Sequence, residues 1–139
     1  MKYLVLSFIA FACWSCGSKG YTKAEDAQDA GRQFIRASLD GDIEKARFYL
    51  LKDSANLYLL NTTWKRNFYD KLSNDDRQQY RSADIRPIQI DPVSDSLVNY
   101  IYTNSYKEKD TTVISIVRMP DGDKFEWLVD LKHIHRWNH

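Results

Sequence analysis

The hydrophobic pattern of this chain changes from a helical to an alternating period near Asp84. Before Asp84, apolar residues recur every three or four positions, as they do on one face of an α-helix. After Asp84, apolar and polar residues alternate, which is the pattern of half-buried β-strands. Helices followed by strands are typical of the α+β class. We therefore predict N-terminal helices packed on a curved antiparallel sheet of about four strands.

The first helix is predicted over residues 24–40, with Phe34 on its apolar face. Thr22 and Glu25 have the spacing of a capping box, which is expected to cap the start of this helix. Gly41 follows the last helical residue and can adopt the left-handed conformation that ends a helix. The pattern thus predicts both ends of this helix.

Three further helical segments are predicted before the period changes. Asp42 can cap a short second helix. Residues 53–72 repeat apolar side chains at helical spacing, and Trp64 within them is expected in the core. Residues 73–80 follow as a short helical turn.

Four strands are predicted after Asp84. Residues 85–90 contain Pro87, which lacks a backbone donor and therefore favours an edge position. Residues 97–107 and 112–119 flank a polar turn and form a long hairpin. The last strand places four apolar residues on one face: Phe125, Trp127, Val129 and Leu131. Together they predict an antiparallel meander.

The N-terminus has the layout of an export signal. A cation at Lys2 precedes ten apolar residues, which in helical form span about 15 Å, half of a bilayer core. Ser15 before Cys16 resembles the lipobox of bacterial lipoproteins, so residues 1–15 are predicted as a signal peptide, Cys16 as the acylated residue and residues 16–21 as a tether. Two alternatives remain open, namely simple cleavage after Ala12 and acylation of Cys13. Acylation of Cys16 predicts a bacterial envelope protein held at the membrane by its lipid, whereas cleavage after Ala12 would release a soluble protein.

Composition limits the remaining choices. With 139 residues, 43% of them hydrophobic, the chain suits one compact domain, which we place at residues 22–139. Both cysteines, Cys13 and Cys16, precede that domain, so no disulfide stabilises it. The 20 basic residues barely exceed the 19 acidic ones, and a nucleic-acid partner is not expected.

Three motifs in this order resemble the nuclear-transport-factor-like superfamily: the amphipathic first helix, Gly41-Asp42-Ile43-Glu44-Lys45-Ala46 at the corner, and a terminal hairpin with Gly122 before Trp127-Leu128-Val129-Asp130. More narrowly, the chain resembles small bacterial envelope lipoproteins of unknown function that carry such a domain. The resemblance implies a cone-shaped roll whose mouth can admit a small ligand. Members include isomerases, dehydratases and non-catalytic binding modules, so the fold alone does not decide the function.

Aromatic residues are the candidates for a pocket. Tyr100, Tyr102 and Tyr106 share one side of a strand, and a ligand pocket is predicted to be lined by Phe34, Trp64, Tyr100, Tyr102 and Trp127. Packing of a hydrophobic core explains the same alternation equally well. These residues therefore predict a pocket or a filled core.

Catalytic and metal signals are weak. Asp130 with Tyr100 or Tyr102 could form an acid–base pair, but its alternation with Val129 and Leu131 predicts that Asp130 faces solvent or a sheet-edge ion pair rather than the cavity. His133, His135 and His139 lack the spacing of a zinc site, so neither a metal nor a cofactor is expected.

The sequence thus favours non-catalytic binding of a small apolar ligand or an envelope protein. The alternatives are an isomerase or dehydratase that uses the cone, and a structural role in which the sheet face binds a second copy as a homodimer.

Overall fold

The computed structural model describes residues 20–106 and 110–136, with the side chains of residues 135 and 136 left out. Within them, helices cover a four-stranded antiparallel sheet in the order β1-β2-β3-β4, which confirms the predicted α+β class. The sheet stays open, because β1 and β4 form its two edges and do not pair with each other. The predicted signal peptide, Cys16 and the turn at 107–109 lie outside the described residues.

The helical half contains four α-helices and two other helical segments within the described residues. They are α1 (Ala27–Asp40), α2 (Ile43–Phe48), α3 (Ser54–Tyr58) continued by a π-helical segment (Leu59–Arg66), a 3-10 turn (Tyr69–Lys71) and α4 (Asn74–Arg81). The helix predicted over residues 53–72 is present from Ser54 to Arg66, with its second part π-helical, and it ends before the 3-10 turn rather than at Leu72.

The start of α1 also differs from the prediction. Asp26 caps the helix by accepting a hydrogen bond from the amide of Asp29 at 2.7 Å, so the box of Thr22 and Glu25 does not form. Asp29 in turn accepts from the amide of Glu25 at 3.2 Å. A nearer carboxylate thus satisfies the free amides of the first turn.

The corner after α1 is as predicted. Gly41 has φ 72°, and the amide of Asp42 donates to the carbonyl of Ala37 at 2.9 Å. The Asp42 side chain then accepts from the amide of Lys45 at 3.0 Å and caps α2. A left-handed glycine followed by a capping carboxylate reverses the chain within two residues.

The strands are β1 (Ile85–Ser94), β2 (Leu97–Asn104), β3 (Thr112–Asp121) and β4 (Lys124–Arg136). Three of them extend further than predicted, and β2 ends three residues earlier. Pro87 lies on the edge strand, as expected, and the register of β1 shifts between Pro87 and Gln89. The register of β3 and β4 shifts between Val113 and Ser115, which are paired with His135 and Asp130.

The two edges of the sheet differ. On the β4 side, the amide of Leu51 donates to the carbonyl of Val129 at 2.9 Å, and the amide of Val129 donates to the carbonyl of Tyr49 at 2.8 Å. This connection covers part of the β4 edge. On the other side, Pro87 and Pro92 remove backbone donors from β1, which limits its ability to pair with another strand.

The core lies between α1 and the inner sheet face. Gly31 permits their close approach, because a Cβ atom there would lie 2.8 Å from Ile116 Cδ1 and 3.3 Å from the Tyr100 ring. Seventeen buried residues from the helices and the sheet form one cluster within the described residues. In the same part of the chain, no helix has both the length and the apolar character needed to span a bilayer.

Candidate functional site

A cavity of about 350 Å³ remains between the helices and one end of the sheet. Its walls come from α1, the π-helical segment, α4 and strands β2, β3 and β4. This volume is near the lower end of the range of small-molecule sites, roughly 300–1,000 Å³. The lining includes Phe34, Ser38, Trp64, Phe68, Tyr80, Tyr102, Tyr106, Asp110, Ile114 and Leu131.

The inner wall on α1 contains one small residue. Phe34, Ile35, Ser38 and Leu39 all line the cavity, and all are buried. The Ser38 hydroxyl donates to the Phe34 carbonyl at 3.0 Å, one helical turn earlier. Its hydrogen bond is thus satisfied within α1, and its small side chain leaves space that a larger residue would fill.

The π-helical segment supplies a second wall through Leu59, Leu60, Thr63 and Trp64. Its wider turn is seen in the hydrogen bond from the Asn67 amide to the Thr62 carbonyl at 3.0 Å, five residues back. Such π-helical turns are rare and occur frequently at functional sites. Here the π-helical segment places Trp64 on the lining of the cavity.

Aromatic residues surround the outer end of the cavity. Trp64 Nε1 donates to the Tyr80 hydroxyl at 3.4 Å, and the ring centroids of Tyr80 and Tyr106 are 5.3 Å apart. Arg36 fixes the end of α4, because its guanidinium donates to the carbonyls of Ala83 at 2.7 Å and Arg81 at 2.6 Å. This contact holds Tyr80, the aromatic residue of α4, beside the cavity.

The phenols at this end stay neutral. Burial raises the pKa of Tyr80, and burial raises the pKa of Tyr102 far above its usual range, although a hydrogen bond with Thr112 opposes the second shift. Both hydroxyls therefore remain protonated at physiological pH and can act as hydrogen-bond donors.

The five residues predicted for the pocket separate into two groups. Phe34, Trp64 and Tyr102 line the cavity, whereas Tyr100 and Trp127 do not. Tyr100 has no exposed surface (0%) because α1 crosses directly over it at Gly31. Trp127 lies on β4 two residues before Val129 and pairs with Arg118 of β3. It is partly buried against the core at that point.

The prediction for Asp130 was solvent or a sheet-edge ion pair, outside the cavity. Asp130 does lie outside the cavity, and its Oδ2 is 3.7 Å from Lys132 Nζ on the edge strand β4, but it does not face solvent. Asp130 is buried at 6% exposure, and its Oδ1 accepts from Asn56 Nδ2 at 3.1 Å and from the Lys132 amide at 3.1 Å. Asn56 Oδ1 accepts from the Leu131 amide at 2.7 Å. The register shift in β4 interrupts the alternation, so the adjacent residues Asp130 and Leu131 are both buried.

This polar cluster joins the start of α3 to β4. Asp53 caps α3 through the Asn56 amide at 2.8 Å, and its Oδ2 accepts from Lys132 Nζ at 2.6 Å. The Asn56 amide hydrogen bond, and then Lys132, hold the pKa of Asp53 below its usual value. Neither Asp53 nor Asp130 lines the cavity, so the cluster holds two elements together and is not part of the candidate site.

Metal ligands are not grouped in the described part of the chain. No set of three or more His, Cys, Asp or Glu residues there could hold a metal ion. His133 is exposed on β4, while the His135 side chain and His139 lie outside the described residues.

Several cavity residues were not predicted from the sequence. Ser38 and Asp110 carried no pattern that separated them from ordinary surface residues. Tyr80 did have a usable signal, because it is the only aromatic residue in the polar helix Asn74–Arg81 and its ring must pack against another element.

Comparison with known proteins adds no assignment to this geometry. The chain matches no family model, no curated protein and no solved structure. The cavity and its lining are therefore the observations on which a function can be argued.

Proposed function

We propose that this is a lipid-anchored protein of the bacterial cell envelope with a nuclear-transport-factor-like domain. The domain binds a small, largely apolar ligand in its cavity without converting it. The anchor rests on Cys16 and the apolar leader before it. The binding role rests on the cavity.

The observation that carries this proposal is an open cleft of about 350 Å³ with an apolar and aromatic lining. Its partly exposed walls include Leu59, Trp64, Phe68, Tyr80, Tyr102 and Tyr106, and beneath them lie core residues such as Ile114 at 0% exposure. Concave sites with mostly apolar and aromatic linings are typical of small-molecule binding. Burying an apolar ligand against such surface contributes about 25 cal/mol per Å².

Calorimetric titration with 2-naphthol tests the proposal, because this neutral probe combines an apolar body with a hydroxyl for the tyrosine end. We expect a Kd of about 0.1 mM, or roughly 0.5 kcal/mol per non-hydrogen atom. Ser38→Phe should weaken binding at least about tenfold by filling the cavity. Ser38→Ala, which removes the hydroxyl and adds no volume, should bind like the wild type.

Leu59→Trp narrows the same cavity from the opposite wall and serves as a second blocking variant if Ser38→Phe does not fold. Undiminished 2-naphthol binding in a folded blocking variant, or no binding by the wild type, would contradict the proposal.

The anchor is tested separately by labelling cells with an alkyne analogue of palmitate. Cys16→Ala should abolish incorporation into the protein, and Cys13→Ala should leave it intact. Label that survives Cys16→Ala and disappears with Cys13→Ala would instead assign acylation to Cys13.

One observation favours an enzymatic alternative. Asp110 is a carboxylate on the cavity lining, with Tyr102 nearby on the same lining, so a base and a hydroxyl donor of the isomerase type could meet there. Asp130, the base considered from the sequence, is outside the cavity, as its alternation predicted. An isomerase should exchange the α-protons of a small cyclic ketone in D₂O, and Asp110→Asn should stop the exchange. The same exchange rate in both proteins would exclude this alternative.

A further inference from the structure

The chain before α1 is attached to the hairpin of β3 and β4. Lys23 Nζ pairs with Asp121 Oδ2 and lies 3.7 Å from Glu126 Oε2. The Tyr49 hydroxyl donates to the Thr22 carbonyl at 2.7 Å. These contacts hold the chain against the domain from residue 22 onward, so the chain enters the domain beside this hairpin.

The distance from the anchor to the domain is short. Cys16, the residue proposed to be acylated, precedes Gly20, the first described residue, by four positions. Even a fully extended chain of four residues spans at most about 14 Å. Strand β4 has 13 residues, which correspond to roughly 40 Å. An anchor at Cys16 therefore keeps the bilayer close to the side of the domain where the chain enters.

An aromatic side chain is exposed directly after the β3–β4 turn, residues 121–124. Phe125 is 61% exposed, although the Arg118 guanidinium lies 4.7 Å from its ring centroid and covers one face. Lys124, next to it, is also exposed. An aromatic ring beside long basic side chains suits the boundary between lipid headgroups and acyl chains, because rings enter the apolar layer and cations reach the headgroups.

The charged side chains around this turn balance. Three are acidic and three are basic, namely Asp121, Asp123, Glu126, Lys23, Arg118 and Lys124. Contact with a bilayer therefore depends on the exposed ring rather than on attraction to anionic lipids. Added salt, which screens exposed charges, should change such a contact little.

The cavity reaches the surface at the other end of the sheet. The partly exposed lining residues Tyr106 and Asp110 both lie between β2 and β3, on the connection that leads to Thr112. The β3–β4 turn follows the opposite end of β3, whose 10 residues span roughly 33 Å. The exposed ring of Phe125 and the opening of the cavity thus lie at opposite ends of the domain.

We propose that the β3–β4 turn rests on the bilayer surface, with Phe125 in the interfacial layer and the cavity opening on the opposite, aqueous side. A lipid surface is the partner of this turn, and a small ligand enters the cavity from water. This inference rests on the anchor at Cys16, which is one part of the proposed function. It does not depend on the identity of the ligand.

A fluorescent probe at single introduced cysteines tests this orientation. Both natural cysteines precede the domain, so a new thiol in it can be labelled alone once the leader is removed and Cys16 is acylated. Lys124→Cys places nitrobenzoxadiazole beside Phe125, and Gln79→Cys places it on an exposed site of α4, next to Tyr80 at the cavity end. The full-length lipidated protein is reconstituted in vesicles of phosphatidylethanolamine and phosphatidylglycerol that contain a lipid with a headgroup nitroxide. We expect quenching at position 124 to exceed quenching at position 79 at least about twofold.

A matched pair of variants locates the contact. Phe125→Ser should reduce the quenching of the probe at position 124 at least about twofold, because it removes the apolar ring. Ile88→Ser makes a similar change at a 57% exposed position on β1 and should leave the quenching unchanged. An equal reduction in both variants, or quenching that is lost at high salt, would overturn the assignment to Phe125.

The outcomes separate this inference from the proposed anchor. Lipidated protein in which both probes are quenched equally, or the probe at position 79 more strongly, would overturn the orientation and leave the anchor standing. Protein that carries no lipid and stays in solution would contradict the anchor and this inference together.

Discussion

Replacing Asn56 by alanine should be among the most destabilising single changes in this domain. The Asn56 side chain has no exposed surface (0%) and makes three hydrogen bonds across the junction of α3 and β4. It accepts from the Leu131 amide at 2.7 Å and donates to Asp130 at 3.1 Å and to Asp53 at 3.2 Å. Alanine removes all of these contacts and supplies none.

The size of the effect follows from the partners left behind. The Leu131 amide lies where the β3–β4 register shifts, and a buried donor without a partner costs about 1–3 kcal/mol. The hydrogen bond to the Asp130 carboxylate contributes about 1.5–3 kcal/mol. Asp53 is partly exposed, so water replaces the hydrogen bond that it loses. The higher helix propensity of alanine offsets about 0.6 kcal/mol of the destabilisation. The net loss should be about 3 kcal/mol.

Urea unfolding followed by circular dichroism measures this loss. With a slope of about 1.5 kcal/mol per molar urea, the midpoint should fall by about 2 M. Asn61→Ala is the control, since that side chain is partly buried and accepts one hydrogen bond, from Arg47 Nη2 at 3.0 Å. It should lose less than about 1 kcal/mol. A loss below 1 kcal/mol for Asn56→Ala would refute the role assigned to this junction.

Two further predictions concern stability. Gly41→Ala should cost about 2–3 kcal/mol, because φ is 72° and the new Cβ would lie within 2.7 Å of three Tyr69 atoms. Gly122→Ala is the control, because its φ of 63° gives the same backbone strain and an added Cβ would have nothing within 4 Å. Urea unfolding should show a cost of only about 1 kcal/mol for this variant. Equal losses in both variants would exclude a clash between the Cβ at position 41 and Tyr69. Asp53→Asn keeps a side chain that can cap the helix but removes the negative charge. The lowered pKa of Asp53 shows that the folded protein favours that charge. A carboxyl group whose pKa is lowered on folding stabilises the folded protein above its unfolded pKa, which is near 3.9, and this stabilisation disappears as the pH falls through the folded pKa. The wild type should therefore be more stable than Asp53→Asn at pH 7 and equally stable near pH 2. A constant difference between pH 7 and pH 2 would contradict this.

Local signals in the sequence predicted the parts of the fold that short segments determine. The left-handed end at Gly41 and the cap at Asp42 were correct, because each depends on one residue type and its immediate neighbours. The strands and their order were also predictable, since alternation and short turns favour a meander. The cap at Asp26 was missed because the spacing of Thr22 and Glu25 predicted a start before Asp26, whereas the Asp26 side chain accepts from the Asp29 amide.

Features that depend on distant contacts could not be predicted. The buried position of Asp130 depends on a register shift in β4 and on Asn56, which is 74 residues away. Side chains alternate between the two faces of a sheet only in a regular strand, and a bulge interrupts that alternation.

The candidate site shows the same limit. Tyr100 and Tyr102 lie on the same strand face, yet only Tyr102 reaches the cavity. The difference comes from the place where α1 crosses the sheet, which Gly31 fixes through close contact with Tyr100 and Ile116. Sequence periodicity identifies the face of a residue, but the position of a cavity depends on how the layers meet.

The central claim is that the space between the helices and the sheet holds a small molecule. Intermolecular nuclear Overhauser effects between bound 2-naphthol and the methyl groups of Ile114 and Leu131 test it directly, because both residues line the inner end of the cavity. We expect contacts to both residues in the wild type and to neither in Ser38→Phe. Contacts confined to an exposed side chain such as Phe125 would show surface binding and contradict the claim.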